Sequence, residues 1–423
     1  MKVLVIGGGG REHALVWKLS QSPKVKEIYC APGNAGIANL AECIEIRPDN
    51  LTGFLNFSKS HKIDLTVVGP ELPLALGVVD EFQRAGLRIF GPTKAAAMIE
   101  SSKIYAKQFM KTYHIPTAKA HSFDSIEKAL GYARQQELPL VIKADGLAAG
   151  KGVMIAHTLA QAEESIDQMM HSRVFGSAGE KIVIEAFLTG EEATILAFTD
   201  GRGVSLLPAS QDHKRLGDGD QGANTGGMGA YAPAPVVTPE IQGQVLRHIV
   251  KPTLHGLAEE GCPYKGVLYF GLMICKEGPR VLEFNCRFGD PEAQVVLPLL
   301  DSDLVDILEA VIDERLDQVT IRLKALAAIC VVMASSGYPE ESPQGFPVKG
   351  LKLAQKLKDV LLFHAGTALR NDRVVTHGGR VLGVTALGAD LRSARDIVYK
   401  AIGKIYFEGM QYRKDIAARA LIH

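Results

Sequence analysis

Short apolar runs alternate with amphipathic stretches over the first hundred residues. The apolar runs are rich in β-branched residues, as buried strands are, and the stretches between them have helical periodicity. This alternation predicts an open parallel sheet with helices on its faces. The predicted strands are Val3–Ile6, Lys26–Cys30, Leu65–Val68 and Arg88–Phe90, and the predicted helices are 11–20, 50–60 and 72–84.

The pattern changes after residue 103, where shorter strands and helices predict a small α+β unit. Its predicted strands lie near 117–122, 139–143, 152–156, 181–187 and 192–199, and its helices near 125–136 and 159–170. The polar, glycine-rich segment 210–235 has no periodicity and is predicted to be a long functional loop. The remaining predicted elements are a helix at about 239–260, strands at 264–276 and 279–285, a helix near 303–314, a strand at 325–334 and an amphipathic helix at 390–408.

A length of 423 residues favours about three domains. We predict an N-terminal α/β domain at 1–102, a central region at 103–324 and a small C-terminal α+β domain at 325–423. Within the central region, residues at about 119–190 form a compact unit with a glycine loop. We expect this unit to move as a lid over a bound substrate.

Composition and charge exclude several classes of partner. Lys and Arg together number 47, as do Asp and Glu, so no overall field attracts nucleic acid or an anionic membrane. The longest apolar run, 325–334, is about half a membrane span. The six cysteines show no CxxC spacing, which favours buried thiols of a cytoplasmic protein.

The stretch "VLVIGGGGREHAL" reads as a strand, a glycine turn and a helix start. Backbone N–H groups at such a turn bind phosphate, aided by the helix N-terminus. The dinucleotide fingerprint needs a third glycine, but residue 12 is Glu and residue 13 is His. The turn therefore favours a mononucleotide-sized phosphate over NAD, with a purely structural turn as the alternative.

Two later stretches suggest nucleotide contacts. "VIKADGLAAGKGV" places Lys143 and Lys151 around a glycine loop between two strands, which suits a triphosphate, although Gly152 stands where a P-loop needs Ser or Thr. A solvated hairpin is the alternative. In "IVIEAFLTGEEATI", Glu185 and Glu192 could hold an adenine edge and a ribose diol, but alone they are ordinary strand-end residues.

The stretch "LEFNCRFGDPEAQ" at 282–294 carries the strongest chemical signal. Alternate side chains on a strand share a face, so Glu283, Asn285 and Arg287 are predicted to point one way. Leu282, Phe284 and Cys286 are then predicted to face the core. Carboxylate and amide oxygens two residues apart suit Mg²⁺ held partly through substrate phosphates, and an arginine beside them suits oxyanions. A structural ion-pair cluster is the alternative.

Together, these stretches resemble the glycinamide ribonucleotide synthetase family of the ATP-grasp superfamily. The resemblance rests on "IGGGGREHAL", "KADGLAAGKGV", "SQDHKR", "NTGGMGAYAPAP" and above all "EFNCRFGDPE", and it covers essentially the whole chain. It implies an ATP-grasp central region and the reaction of ATP, glycine and 5-phosphoribosylamine to ADP, phosphate and glycinamide ribonucleotide, through glycyl phosphate, in purine biosynthesis.

Three alternatives remain open from the residues alone. They are an ATP-grasp carboxylate–amine ligase with a different acid substrate, a dinucleotide-dependent oxidoreductase and a catalytically inactive nucleotide-binding scaffold. The resemblance implies small-molecule substrates, no nucleic acid, no membrane and a monomer or weak homodimer.

The resemblance also implies a role for individual residues. The residues implied to bind ATP are Lys103, Lys143, Lys151, Gly152, Glu185, Leu188 through its backbone, and Glu192. Those implied to bind Mg²⁺ or Mn²⁺ are Glu283 and Asn285, and those on the substrate and acyl-phosphate side are Arg287, Asp290, Asp212 and Lys214. Those implied to face the phosphoribosyl group are Gly8, Gly9, Gly10, Arg11, Gly33 and Asn34.

Two departures from the family pattern stand out. Ala186 replaces the second acid of the usual "EEF", which removes one adenine-side contact. The stretch "YFGLM" contains no acid where many ATP-grasp enzymes have a further metal carboxylate. Phosphate, water or another segment must then complete the metal shell.

Overall fold

The computed structural model describes residues 1–148 and 152–421. Its N-terminal part is a five-stranded, wholly parallel sheet, as predicted. In spatial order the strands are Glu42–Cys43, Glu27–Pro32, Lys2–Gly7, Leu65–Val68 and Ile89–Phe90. The two-residue strand Glu42–Cys43 was not predicted, because it is exposed and has no apolar pattern.

Helices cover this sheet. They are Gly10–Leu19, Leu51–His61, Glu71–Leu76, Val78–Arg84 and Lys94–Ser101, with a 3₁₀ turn at Ile37–Asn39. The prediction of one helix over 72–84 was wrong, because Gly77 adopts φ 95° and divides it into two. That left-handed conformation ends one helix and starts the next, and glycine adopts it without a steric penalty.

The central region is built on a four-stranded antiparallel sheet. In spatial order its strands are Val204–Leu206, Glu191–Asp200, Lys265–Cys275 and Gly278–Asn285. Its helices are Lys103–Thr112, Pro239–Val245, Lys251–Glu259, Ala293–Leu299 and Leu304–Ile312, with a π-helical turn at Leu246–Val250 and a 3₁₀ turn at Leu316–Gln318.

The predicted lid subdomain is a separate small layer with its own apolar core. Its antiparallel sheet contains, in spatial order, Ala120–Phe123, Ile182–Ala186, Leu140–Ala144 and Val153–Ala156. The helices Ile126–Ala133 and Leu159–Ile166, a π-helical turn at Asp167–His171 and a 3₁₀ turn at Gly176–Gly179 complete it. A unit with its own core can move as one body.

The C-terminal sheet takes strands from outside the C-terminal part of the chain. In spatial order it contains Gln211–Asp212, Gly229–Ala232, Ala327–Ala334, Arg380–Gly388 and Val360–His364. The remaining elements are the hairpin Thr367–Arg370 and Arg373–Thr376, the helices Leu351–Gln355 and Leu391–Ile402, and a 3₁₀ turn at Arg419–Leu421. The two borrowed strands bind the central region and the C-terminal part together.

Two further element predictions were wrong. The segment 210–235 is not a featureless loop, since it contains four short strands at Gln211–Asp212, Arg215–Gly217, Gln221–Asn224 and Gly229–Ala232. Their partners are distant in sequence or are each other, so periodicity alone could not reveal them. The predicted helix 390–408 ends at Ile402, with Gly403 as its C-cap, and the chain beyond it pairs with Lys349 through Tyr406.

No helix in residues 1–148 and 152–421 has both the length and the apolar character needed to cross a membrane.

A buried histidine pair joins the C-terminal sheet to the N-terminal helix. The backbone N–H of His364 donates to Nδ1 of His13 at 2.8 Å, and the His13 ring meets Phe363 edge-on at 5.8 Å. Burial, with the nearby His364, lowers the pKa of His13 to about 3. Burial likewise lowers the pKa of His364 to about 4. Both rings are therefore neutral in the folded protein at neutral pH.

These histidines predict a loss of stability in mild acid. A folded-state pKa below the unfolded value of about 6.5 means that the unfolded chain binds more protons as the pH falls below 6.5. At pH 5 the His13 shift corresponds to about 2 kcal/mol of lost stability. In His13→Asn, the side-chain oxygen can still accept from His364, but the group does not titrate. Its melting temperature should fall less than that of the wild type between pH 7.5 and pH 5, and parallel profiles would contradict this account.

Candidate active site

A β-bulge determines how the strand Gly278–Asn285 presents its end. Glu283 lies opposite Gly271 in the ladder, but the next pair is Val281 with Leu272, so Leu282 is an extra residue. The prediction that Leu282 faces the core was therefore wrong, and it is half-buried while Val281 is fully buried. Because Glu283 lies beyond the bulge, it keeps the predicted alternation with the buried Phe284. Gly271, in the "YFGLM" stretch, leaves the space opposite the carboxylate free of a side chain.

The bulge gives Lys143 a partner in the central sheet. Its ammonium donates to the carbonyl oxygen of Leu282 at 3.0 Å and pairs with Oε1 of Glu185 at 3.0 Å. The other oxygen of Glu185 lies 2.9 Å from Nζ of Lys107. Glu185 is 2% exposed. The carboxylate is thus held between two lysines from different elements.

Lys107 was not among the predicted site residues, although a sequence signal for it existed. It follows Lys103 by four positions on the helix Lys103–Thr112, and residues so spaced share a helix face. Lys103 itself donates to the carbonyl of Gly146 at 3.2 Å. Burial is the main cause that lowers the pKa of Lys107, to about 8. Burial also lowers the pKa of Lys103.

Glu283 lies in a strongly positive surrounding. Nζ of Lys214 is 3.4 Å from Oε1 of Glu283 and 3.4 Å from Oε2 of Glu192. Burial alone would raise the pKa of Glu283, but Lys214, Lys143 and Lys103 together lower it to about 2. The carboxylate is ionised at all physiological pH values. Lysines grouped in this way are suited to phosphate oxygens.

Arg287 is held by two acids from the N-terminal part. Its Nε lies 3.2 Å from Oε2 of Glu71, and its Nη2 lies 3.3 Å from Oε1 of Glu100. Burial raises the pKa of Glu100 to about 7 despite the opposing effect of Arg287. Neither acid was predicted from the sequence, because both lie about two hundred residues from Arg287 and neither belongs to a local motif.

Asp290 connects the glycine turn to the C-terminal sheet. Its Oδ2 is 3.1 Å from Nη2 of Arg380, and its Oδ1 accepts from Nε2 of Gln294 at 2.7 Å. A side chain at Gly9 or Gly10 would contact this carboxylate. Burial alone would raise the pKa of Asp290, but Arg380 and other arginines lower it.

Asp212 lies at the start of the borrowed strands, near Lys214. Its Oδ1 is buried without a hydrogen-bond partner, and a side chain at Gly227 would come within 2.7 Å of it. Burial is the main cause that raises the pKa of Asp212 well above its usual range, and the negative charge of Glu292 adds to it. The unpartnered Oδ1 of this buried acid can accept a hydrogen bond from a substrate.

The two predicted phosphoribosyl segments do meet. Nδ2 of Asn34 donates to the carbonyl of Gly8 at 2.9 Å and to that of His364 at 2.8 Å, and Gly8 packs directly on Gly33. Glu12 stands where the dinucleotide fingerprint has its third glycine. Its Oε2 accepts from the backbone N–H of Gly9 at 2.6 Å. That N–H is consequently occupied within the protein.

Arg11 does not project freely over the glycine turn. Its Nε lies 2.6 Å from Oε1 of Glu12, and its Nη1 donates to the carbonyl of Phe288 at 3.2 Å. The same guanidinium is 3.9 Å from Glu71, which it shares with Arg287. The glycine turn and residues 283–287 are therefore connected through partly buried ion pairs.

The remaining predicted nucleotide residues lie along the lid and the adjoining strand. Glu192 and Leu188 are partly exposed, Ala186 is exposed, and Gly152 is buried. Lys151 lies outside the described residues.

The donors present suit a cation that is held partly by substrate oxygens. Within the described ranges, no group of three or more His, Cys, Asp or Glu side chains could hold a metal ion. Glu283 and Asn285 supply one ionised carboxylate and one amide from the same strand face. Mg²⁺ is commonly bound through one or two such groups plus substrate phosphates, so this pair fits the ion.

Family models match three consecutive parts of the chain. The phosphoribosylglycinamide synthetase N domain matches residues 1–100, the ATP-grasp (A) domain of the same family matches 101–293, and its C domain matches 328–419. The chain belongs to the phosphoribosylglycinamide synthetase family. The family prediction made from the sequence is thereby confirmed.

Full-length relatives agree with the family models. The chain is 51% identical over 418 residues to the phosphoribosylamine–glycine ligase of Caldanaerobacter subterraneus, covering 99% of this chain and 100% of that protein. It is also 51% identical over 424 residues to the ligase of the same name from Vibrio vulnificus, covering 100% and 99%. These relatives give no support to a ligase that uses a different acid.

Solved structures confirm the predicted multidomain α/β fold. The phosphoribosylamine–glycine ligase of Thermotoga maritima superposes with a TM-score of 0.86 at 33% identity, covering 99% of this chain and 100% of that one. A biotin carboxylase from Campylobacter jejuni, solved as a β-γ-ATP complex, superposes with a TM-score of 0.74 at 13% identity, covering 100% of this chain and 95% of that one. The second likeness concerns the fold alone.

The lysine arrangement predicts a large effect of one substitution. Lys143→Ala removes the cation that joins Glu185 to the strand end, and kcat/KM for ATP should fall by at least about 100-fold, as when a preorganised charge-stabilising group is lost. Lys111→Ala, on the exposed face of the neighbouring helix, is the matched control and should leave kcat/KM within about twofold. Unchanged kinetics in a folded Lys143→Ala protein would exclude this role.

Proposed function

We propose that the chain ligates glycine to 5-phosphoribosylamine, with ATP converted to ADP and phosphate, giving glycinamide ribonucleotide for purine biosynthesis. Family membership over the whole length supports the reaction class. The six free cysteines of the described residues, five of them buried, support a cytoplasmic location. We propose that the enzyme acts as a monomer or weak homodimer on small molecules alone.

One observation carries the proposal most directly. Glu283 and Asn285 lie on one face of the strand end and Arg287 follows just beyond it, with Lys214 in contact with Glu283 and Lys143 anchored to the same strand at Leu282. This arrangement offers anionic and neutral oxygens to a cation and several positive groups to phosphate. Phosphoryl transfer needs positioning and charge stabilisation more than covalent chemistry from the enzyme.

Glu283 and Asn285 would hold Mg²⁺ or Mn²⁺. Such an ion neutralises phosphate charge and orients the oxygens around the transferred group. Lys103, Lys107 and Lys143 bind and orient the triphosphate, while the lid subdomain closes over it and excludes water. We place the adenosine near Glu185, Leu188 and Glu192. Because Ala186 stands where the family has an acid, the adenosine has one contact fewer here.

In the proposed reaction, a carboxylate oxygen of glycine attacks the γ-phosphorus of ATP, and ADP leaves. The amine of 5-phosphoribosylamine then attacks the carbonyl carbon of glycyl phosphate. The phosphate leaves with the oxygen that came from glycine. We place Arg287 and Lys214 beside the transferred phosphoryl group, where their charges stabilise the developing oxyanions. Asp212 and Asp290 orient the two amine-bearing substrates.

The phosphoribosyl group is proposed to bind at the glycine turn. The start of the helix Gly10–Leu19 and the packed segments at Gly8 and Gly33 provide backbone groups suited to phosphate. Because the N–H of Gly9 is bonded to Glu12, the first helical amides at Gly10 and Arg11 carry this role. Asn34 holds the two segments together.

Isotope labelling tests the proposed reaction. With ¹⁸O in the glycine carboxylate, the acyl-phosphate route delivers one labelled oxygen to inorganic phosphate and leaves ADP unlabelled, as mass spectrometry of the products can measure. Activation by adenylation would instead place label in AMP. Unlabelled phosphate or labelled AMP would exclude the route, and reactions without glycine or without 5-phosphoribosylamine are the controls.

The metal proposal makes a separate prediction. Activity should require Mg²⁺ or Mn²⁺, and Glu283→Gln should raise the metal concentration for half-maximal rate by about tenfold or more, since a neutral amide replaces the only acid of the pair. Glu277→Gln, at the exposed turn of the same hairpin, should not change it. Full wild-type activity in excess chelator would refute the proposal.

A further inference from the structure

Glu100 contacts three consecutive residues at the strand end. Its Oε2 accepts from the backbone N–H of Cys286 at 2.6 Å, and its Oε1 lies 3.3 Å from Nη2 of Arg287. The same Oε1 lies next to the side-chain amide of Asn285. The side chain of Glu100 is only 8% exposed. It comes from the helix Lys94–Ser101 and reaches the strand from the N-terminal side.

The contact with Asn285 decides which amide atom faces Glu100. With its nitrogen toward Glu100, Asn285 donates to Oε1 at 2.8 Å and to the carbonyl of Phe284 at 3.3 Å. The opposite orientation gains one long contact from Arg287, at 3.4 Å, but sets the amide oxygen against a carboxylate oxygen. Both oxygens of Glu100 face donors, the N–H of Cys286 and Nη2 of Arg287, which favour the ionised carboxylate. Two acceptors at hydrogen-bond distance repel each other, so the first orientation of Asn285 is favoured.

An amide binds a cation through its oxygen and never through its nitrogen. We propose that Glu100 is a positioning residue that holds the amide nitrogen of Asn285 and so keeps the amide oxygen available for the divalent cation. This inference rests on the proposed role of Glu283 and Asn285. The proposal gives the helix Lys94–Ser101 a part in metal binding without making any of its side chains a metal ligand.

A purely structural role for Glu100 would be to neutralise Arg287. Glu71 provides the control, because its carboxylate also pairs with Arg287, at 3.2 Å, and approaches Arg11. No contact links Glu71 to Asn285 within the described residues. Loss of either acid removes a charge from Arg287, but only loss of Glu100 releases the amide of Asn285.

The first experiment compares Glu100→Gln with Glu71→Gln. A glutamine at 100 can present its own amide nitrogen to Asn285, so the amide of Asn285 is no longer forced to one orientation. Loss of such an outer partner typically weakens metal affinity by about 10- to 100-fold. We expect Glu100→Gln to raise the Mn²⁺ concentration for half-maximal rate by about tenfold and Glu71→Gln to leave it within about twofold. Equal shifts in both variants would overturn the proposal.

Electron paramagnetic resonance provides a readout that does not depend on turnover. Free Mn²⁺ gives a six-line signal, so titration with a non-hydrolysable ATP analogue present measures the bound ion directly. Glu100→Gln should weaken this binding by the same factor, and unchanged binding would overturn the proposal. If the wild type binds Mn²⁺ through Glu283 and Asn285 but makes no glycinamide ribonucleotide, the proposed function fails while this inference stands.

A double-mutant cycle isolates the orienting effect. In Asn285→Asp both side-chain oxygens are alike, so no partner is needed to choose between them. In the Asn285→Asp background Glu100→Gln also removes the repulsion between two facing carboxylates, so it should not weaken Mn²⁺ binding there, against a weakening of about tenfold with Asn285 in place. An equal effect in both backgrounds would show that Glu100 acts only through folding or Arg287. If Glu100→Gln does not fold, Glu100→Asp is used in the same cycle with the same expectations.

Discussion

The ion pairs of Glu185 are the interaction on which the arrangement of the site depends. Lys107 comes from the central region, Lys143 from the lid subdomain, and both meet the one buried carboxylate. Without that carboxylate, two buried ammonium groups would repel each other in a medium that screens poorly. Since Lys143 also donates to Leu282, the same contacts fix the lid against the strand that bears Glu283. The candidate site thus lies at a junction where buried ion pairs join the lid subdomain to the central region.

Three parts of the chain meet around this junction. Asp290 follows the strand end, approaches the glycine turn at Gly9 and pairs with Arg380 of the C-terminal sheet. The two strands that the C-terminal sheet borrows from the central region carry Asp212 into the same space. A reaction that joins an amine to an activated acid needs two substrates and ATP held together. An interface among three parts of the chain offers a surface to each of them.

The sequence predicted those features that depend on local pattern. The parallel N-terminal sheet, the hairpin ending at Asn285 and the alternation of Glu283 with Phe284 all follow from period-two or period-3.6 patterns. The bulge at Leu282 did not, because it depends on the partner strand and leaves no local signal. The strands inside 210–235 were missed for the same reason, since their hydrogen bonds are made to distant segments.

The residues of the candidate site likewise divide into those with a local sequence signal and those identified only by distant contacts. Lys143 and Glu283 lie in recognisable motifs, and Lys107 could have been found from its helical spacing to Lys103. Glu100 and Arg380 could not, because each reaches the site from a distant part of the chain and is identified only by contact. Buried charge partners of this kind depend on tertiary structure alone.

We propose that residues 283–287 bring the divalent cation and the nucleotide phosphates together. A crystal structure of the protein with Mn²⁺ and a non-hydrolysable ATP analogue tests it most directly, because manganese scatters anomalously and marks its own position. We expect a single anomalous peak within coordination distance of a Glu283 carboxylate oxygen, the Asn285 amide oxygen and phosphate oxygens of the analogue. A peak elsewhere, with Glu283 and Asn285 out of contact with both metal and phosphate, would contradict it.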